Sequence, residues 1–191
     1  MQPNLSILTP AIWRRRDKAH ALADQIAKQS AHFPGQVEHV VLFDNRAVSI
    51  GLKRQACLDA SHGRYVAFCD DDDEIADDYV ASLLQGIAAK PDVITFQQTA
   101  HVDGDTSTVI FDLKNQDGPF NPDAETLRSA WHVCAWRRDL VADCIFPDSS
   151  YGEDRVWCVQ ARQRVRNQLH LPKILHTYRH SSTETAAPMP A

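Results

Sequence analysis

Along the first hundred positions, apolar and polar residues fall into blocks whose period switches from that of a strand to that of a helix and back. LSILT, residues 5–9, is a short apolar run closed by Pro10 and predicts a buried strand at the start of the fold. Residues 17–31 carry Ala19, Leu22, Ala23 and Ile26 on one side at helical spacing and predict a helix. VEHVVLFD, 37–44, predicts a β-branched strand with an acidic end, and SIGLKRQACLDAS, 49–61, a helix stopped near His62 and Gly63. RYVAFC, 64–69, predicts a third strand, DDYVASLLQGIAAK, 77–90, a third helix ending before Pro91, and DVITFQQ, 92–98, a fourth strand. Strands that alternate with helices predict an α/β fold with a mostly parallel central sheet flanked by helices.

The second half is less regular. A hairpin is predicted over 101–113 with VDGDT as its turn, followed by a loop containing Gly118, Pro119, Asn121 and Pro122. EDRVWCVQARQRV, 153–165, predicts a helix and PKILHTYR, 172–179, a strand. No repeat or linker divides the chain, so one domain is expected over 1–182, with a mobile C-terminal tail over 183–191.

A length of 191 residues, 43% hydrophobic and 24% charged, fits one soluble domain with a genuine core. The net charge of −5 argues against a surface that grips nucleic acid or anionic membrane all over, though not against a local anionic partner. Five cysteines, an odd set without a C-x-x-C pair, sit mostly in apolar runs and point to a reducing cytoplasm. The N-terminal MQPNLSILTPAIWRRR places its charge after a very short apolar run, and no segment reaches the length of a membrane span, so neither a signal peptide nor a transmembrane segment is expected.

The chemistry begins where the third strand runs into four aspartates, YVAFCDDDDEI, 65–75. Adjacent carboxylates repel one another, so a positive partner is required. In an open parallel sheet ligands bind at the carboxyl ends of the strands, where both Asp44 and the run 70–73 fall. Clustered hard oxygen ligands suit Mg²⁺ or Mn²⁺, an ion that commonly bridges to nucleotide phosphates. An acidic loop that caps the following helix is the plainer alternative. A calcium loop of the EF-hand type is excluded, because its spacing and glycine are absent.

Four features in order, LSILTP, VVLFDN, GLKRQACLDASHGRYVAFCDDDD and the later GED, resemble the family 2 glycosyltransferases. The resemblance covers most of residues 4–182 and implies a single-domain, Rossmann-like GT-A fold, with a nucleotide-sugar-binding half over 1–100 and an acceptor-side half over 101–182. It implies that Asp44 contacts the base, Asp70 the ribose or metal side, and Asp72 the ion that bridges the diphosphate, with Asp73 assisting and Asp71 and Pro10 beside the donor. Arg54 falls where the family often has an arginine, in a phosphate or structural role or on the helix surface. After the first strand, AIWRRR replaces the family's Thr-Tyr-Asn-Arg type of turn; Trp13 there is a candidate to stack on a base or to pack.

On the acceptor side, inversion requires a carboxylate that takes the hydroxyl proton. The resemblance implies Asp154 as that base with Glu153 beside it, although two acids opening a helix also suit plain capping. In LHTYRHSS it implies a metal histidine, His180 first and His176 second, and a phosphate role for Arg179. Residues 128–146 look like the acceptor-side strand and helix, so Trp131, His132 and Trp136 are candidates to line the acceptor pocket, with at least one tryptophan expected in the core. Arg155, Arg162, Arg164, Arg166, Lys173 and Arg179 occupy a stretch without acids and permit an anionic acceptor, unless they only decorate a solvent face.

The reading is therefore a metal-dependent inverting transferase, using a nucleoside diphosphate sugar, with UDP as the implied carrier. Its acceptor is a glycan, a carrier or a hydroxylated base in phage DNA, in which case the location is the host cytoplasm. The chain is short for the family, which suggests a soluble acceptor or a partner that completes the site, and an oligomer is possible. A magnesium phosphohydrolase and an inactive nucleotide-sugar-binding module are the competing classes.

Overall fold

The computed structural model describes residues 2–122 and 124–181, so the tail expected over 183–191 lies outside the described residues. The elements are β1 (Leu5–Ile12), a 3-10 turn (Trp13–Arg15), α1 (Arg16–Ser30), β2 (Val37–Asp44), α2 (Ile50–Ala60), β3 (Tyr65–Phe68), β4 (Glu74–Ile75) and α3 (Tyr79–Ile87). They continue with β5 (Val93–Val102), β6 (Asp105–Phe111), β7 (Glu125–Arg128), β8 (Ala135–Arg137), α4 (Arg138–Val141), α5 (Glu153–Arg164) and β9 (Gln168–His180).

Among the described residues one mixed sheet runs in the order β2-β1-β3-β8-β5-β6-β7, with β9 along β5 and β4 against β9. β1 is parallel to β2 and β3, as the alternation of strands and helices predicts, and β5 is parallel to β9. The short β8 enters antiparallel between β3 and β5 and carries Trp136 into the core. The hairpin of β5 and β6 turns at Asp103 and Gly104, inside the predicted turn. None of the described helices is long and apolar enough to cross a membrane.

Pro10 does not end β1, which continues to Ile12 in register with β2 to Asp44. The ladder with β3 stops at Leu8 opposite Phe68, and the N–H of Ile12 points past that end to Asp71 Oδ2 at 2.9 Å. Pro10, two residues earlier, faces the same side, where no ladder bond needs its missing N–H.

The helices bury the faces that their spacing predicts: Ala19, Leu22 and Ile26 on α1, and Tyr79, Val80, Leu83 and Ile87 on α3. Under α5 lies an aromatic cluster in which Trp157 stacks on Phe146 at 5.0 Å and meets Trp136 edge-on at 5.6 Å and Phe68 at 6.0 Å. Large rings fixed in this way lock the position of α5, whose first turn carries Glu153 and Asp154. All five cysteines are buried and free.

Helix α2 starts at Ser49, whose hydroxyl accepts from the N–H of Leu52, and its first turn lies against the 147–149 loop. A Cβ on Gly51 would lie 1.9 Å from the carbonyl oxygen of Pro147, which is backbone and cannot swing aside. Gly51→Ala is therefore expected to destabilise by about 2–4 kcal/mol, lowering Tm by roughly 5–12 °C in a thermal melt.

Candidate active site

The carboxyl ends of β1, β2 and β3 lie side by side, since Ile12 pairs with Asp44 and Leu8 with Phe68. They bring Trp13, Asp44 and Asp70 to Asp73 to one edge of the sheet. Trp13 is 55% exposed, edge-on to Phe43 at 6.1 Å, with the Arg16 guanidinium 5.7 Å above its ring, so one apolar face is free to stack. Asp44 pairs with the buried ammonium of Lys53, which also donates to the Ala11 carbonyl at 3.0 Å. Burial works against ionisation of Asp44, but Lys53 and the N–H of Val48 hold it below the usual carboxylate range.

Each aspartate of the quartet has its own partner. Asp70 is gripped by both terminal nitrogens of Arg54, at 2.8 and 2.9 Å, in the fork geometry that arginine offers a carboxylate. Burial opposes the charge, yet Arg54 holds Asp70 down at about 2. Asp71 is fully buried; it accepts from Ile12 N–H at 2.9 Å and pairs with Arg15 Nη2 at 2.5 Å. Asp72 meets Nη1 of the same Arg15 at 2.6 Å and keeps 26% of its side chain exposed. Asp73 turns inward, accepts from the N–H of Asp70 at 2.8 Å and lies 3.0 Å from His176 Nε2.

Two arginines thus face four aspartates, and the remaining imbalance shows at Asp72. Burial, and the charges of Asp73, Asp70 and Asp71 acting against Arg15, push it up to about 7. An oxygen-rich, partly exposed carboxylate that carries excess negative charge is a donor set that fits Mg²⁺ or Mn²⁺, with Asp72 as the accessible ligand and Asp70 beside it. A second donor set lies behind it: Cys69, Asp73 and His176, all buried, offer ligand atoms within 4.8 Å of one another. Both ring nitrogens of His176 lack a hydrogen-bond partner, so the 3.0 Å approach to Asp73 is not an aligned hydrogen bond.

The first turn of α5 joins the same edge through Arg54, whose Nε donates to Glu153 Oε1 at 3.2 Å while its terminal nitrogens hold Asp70. Gly152 makes the turn into α5 with φ of 75°, a conformation that costs glycine little. Glu153 is buried, and burial together with Asp154 pushes it up against the pull of Arg54. Asp154 stays about a quarter exposed, accepting from the Trp131 indole N–H at 3.2 Å and from the Arg155 N–H at 2.7 Å, with His132 Nδ1 3.5 Å away. Burial and Arg54 push His132 down to about 4, so it is a neutral ring at ordinary pH.

Several sequence candidates change place. Arg54 is no helix-surface residue but a buried clamp at 3% exposure. Asp71 and Pro10 are buried. Trp136 is fully buried in the core, not in an acceptor pocket; its indole N–H donates to the Trp131 carbonyl at 2.9 Å and so supports the residue that touches Asp154. His176, not His180, contacts Asp73, while His180 stacks on Tyr178 at 6.3 Å. Arg179 pairs with Glu74 at 2.9 Å.

Three residues escaped the sequence reading: Lys53, Arg15 and Tyr178. Lys53 and Arg54 precede Cys57 and Leu58 by one helical turn each, so both charges sit on the buried face of α2, a signal visible in the sequence. Tyr178, on the same face of β9 as His176, is pushed up to about 12 by burial and by Asp73, Asp70, Asp72 and Asp154. Nothing local in the sequence marks it.

Residues 15–146 match the model of glycosyl transferase family 2. No curated protein matches the chain. Among solved structures, S. aureus TarS superposes with a TM-score of 0.66 at 15% identity, over 93% of this chain and 37% of that one. TarS 1-349 in complex with UDP-GlcNAc gives 0.66 at 13% identity, over 97% and 62%. The complex of TarS 1-349 with UDP gives 0.64 at 14%, over 95% and 62%. The chain therefore spans between about two fifths and three fifths of the length of these structures, and at such identities the likeness is one of fold. Glu153 and Asp154 lie beyond the matched residues.

The raised Asp72 has a definite sign. A carboxyl whose folded-state pKa is about 7 against roughly 4 unfolded weakens the fold as pH rises between those values, and the penalty is complete above them. In chelator, Asp72→Asn is expected to raise Tm by about 3–6 °C at pH 8 and to leave it unchanged at pH 4; equal shifts at both values would refute the crowding argument.

Proposed function

The chain belongs to glycosyl transferase family 2, and from that premise we propose that it is a metal-dependent, inverting glycosyltransferase that moves a sugar from a UDP-sugar to an acceptor hydroxyl. The observation that carries this reading is Arg54, one buried guanidinium that grips Asp70 on the donor side and Glu153 on the acceptor side. Asp72 and Asp154, each about a quarter exposed, lie beside the two carboxylates that Arg54 joins, which supports pairing a donor-side ligand with an acceptor-side base.

The roles follow from the chemistry of each side chain. Trp13 offers a face for the base, and the Asp44–Lys53 pair supplies a fixed carboxylate for its polar edge. UDP and UDP-GlcNAc are bound by the TarS structures of like fold, which supports uracil here. A divalent cation, Mn²⁺ or Mg²⁺, held by Asp72 with Asp70 beside it, would supply Lewis-acid stabilisation of the departing diphosphate. Asp154 takes the proton from the acceptor hydroxyl as its oxygen bonds to the anomeric carbon and the bond to the diphosphate breaks, releasing UDP. Trp131, which donates to that carboxylate, fixes its orientation and is the ring offered to an acceptor, while the buried His132 lies behind Asp154.

The acceptor we favour is a glycan or carrier hydroxyl, not a base in DNA. Arg162, Arg164, Lys173 and Arg179 are paired with Asp117, Asp143, Asp78 and Glu74. The basic stretch that suggested an anionic partner is thus largely neutralised by local acids, and nucleic-acid affinity rests on unneutralised lysine and arginine.

Calorimetric titration with UDP tests the donor half of this reading. Binding is expected with Mn²⁺ and to weaken at least tenfold without it or in Asp72→Ala; binding indifferent to both would overturn the metal assignment. Asp154→Asn is expected to lower transfer by about 10²- to 10⁴-fold while UDP binding is retained, and full transfer by that variant would remove Asp154 as the base.

A further inference from the structure

Arg54 and Arg15 both neutralise the aspartate quartet, but they hold it in different ways. Arg54 is 4% exposed and closes a two-bond fork on one carboxylate. Arg15 is 34% exposed and divides its two terminal nitrogens between Asp71 and Asp72, one contact to each, while its Nε is buried without a hydrogen-bond partner. Its two acids differ as well. Asp71 is fully buried and fixed by the Ile12 N–H, whereas Asp72 is a quarter exposed and crowded by its neighbours. The Arg15–Asp71 contact is therefore the anchor and the Arg15–Asp72 contact the weak one.

We propose that Arg15 is the exchangeable counter-ion of Asp72: in the ligand-free protein it occupies the carboxylate, and it yields that oxygen to a divalent cation while, still tethered to Asp71, it offers the released Nη1 to the diphosphate of the donor. The inference rests on the donor reading above for the diphosphate, but not for the exchange. Arg15 Nη1 holds Asp72 Oδ2 at 2.6 Å, so a divalent cation that ligates this oxygen meets like-charge repulsion from the guanidinium and competes with Nη1 for it. The displaced nitrogen is still one rigid guanidinium away from the Asp71 anchor and cannot retreat into solvent. An anionic diphosphate brought in with the cation gives it a new acceptor in the same place. Arg15 thus couples cation and donor binding, each making the other more favourable, and it keeps the empty site from retaining a lone cation.

The test is Mn²⁺ binding without nucleotide, read by the loss of the free Mn²⁺ resonance in electron paramagnetic spectra, followed by UDP titration at saturating Mn²⁺. The proteins are wild type, Arg15→Lys and the double variant Arg15→Gln/Asp71→Asn. The double variant removes the buried Asp71 charge along with its partner so that it folds, which a thermal melt checks. A lysine ammonium can hold Asp71 but cannot span both acids. Both variants are expected to bind Mn²⁺ alone about tenfold more tightly than wild type, and UDP with Mn²⁺ about tenfold more weakly. Unchanged or weaker Mn²⁺ binding in folded variants would overturn the exchange, even where wild type binds UDP normally. Tighter Mn²⁺ binding in the variants, with no UDP binding by wild type, would sustain the exchange and remove the donor reading instead.

Discussion

Four consecutive carboxylates at the end of a buried strand cannot stand without positive charge brought to them, and much of the molecule is arranged to bring it. Removing ions from water costs several kcal/mol each unless they are paired with good geometry. The two positive charges come from far apart in the chain, Arg15 after β1 and Arg54 from α2, and they are joined by two further contacts, the Ile12 N–H from the end of β1 and the His176 ring from β9. A loop only four residues long is thereby tied to the first strand, the second helix and the last strand.

This requirement accounts for features that look unrelated. β9 has to run the length of β5 to deliver His176 and Tyr178, and the two-residue β4 fastens it to the chain just after the quartet, with Ile75 opposite His176. α2 has to sit close enough to the 147–149 loop for its two inward charges to reach Asp44 and Asp70, which is why glycine stands where the helix meets a backbone carbonyl. The aromatic cluster of Trp136, Trp157, Phe146 and Phe68 then fixes α5 from below, so that Glu153 meets Arg54 and Asp154 stays outside.

What the sequence made legible were features with a period or a composition of their own. The alternation of strands and helices, the acidic ends of the second and third strands, and the acids opening the last helix all have local signatures, and each falls where it was read. The missed features depend on contacts distant in sequence. Pro10 reads as a stop because its neighbours cannot show that β3 has already ended beside it. Trp131 and Trp136 look alike in the chain, and only the packing separates the partly buried residue that meets Asp154 from the fully buried one that donates to its carbonyl. Arg15 is one of three consecutive arginines that nothing local tells apart, and its partner Asp71, buried against it, lies 56 positions further on.

The two arginines also divide the labour of stability and of response. The buried Arg54 joins the partly exposed Asp70 to the buried Glu153, where loss of the guanidinium would leave Glu153 without a counter-charge in the interior, so the Arg54–Glu153 contact is fixed by its own desolvation. Arg15 has one foot in the interior and one at the surface, where solvent and ions compete for Asp72. A site built only from contacts of the first kind would be rigid but closed to an incoming cation, and one built only from the second would not hold four carboxylates together. The quartet contains both kinds: Asp70 is closed in the two-bond fork of the buried Arg54, and Asp72 keeps a single contact, to the partly exposed Arg15, that solvent and ions can contest.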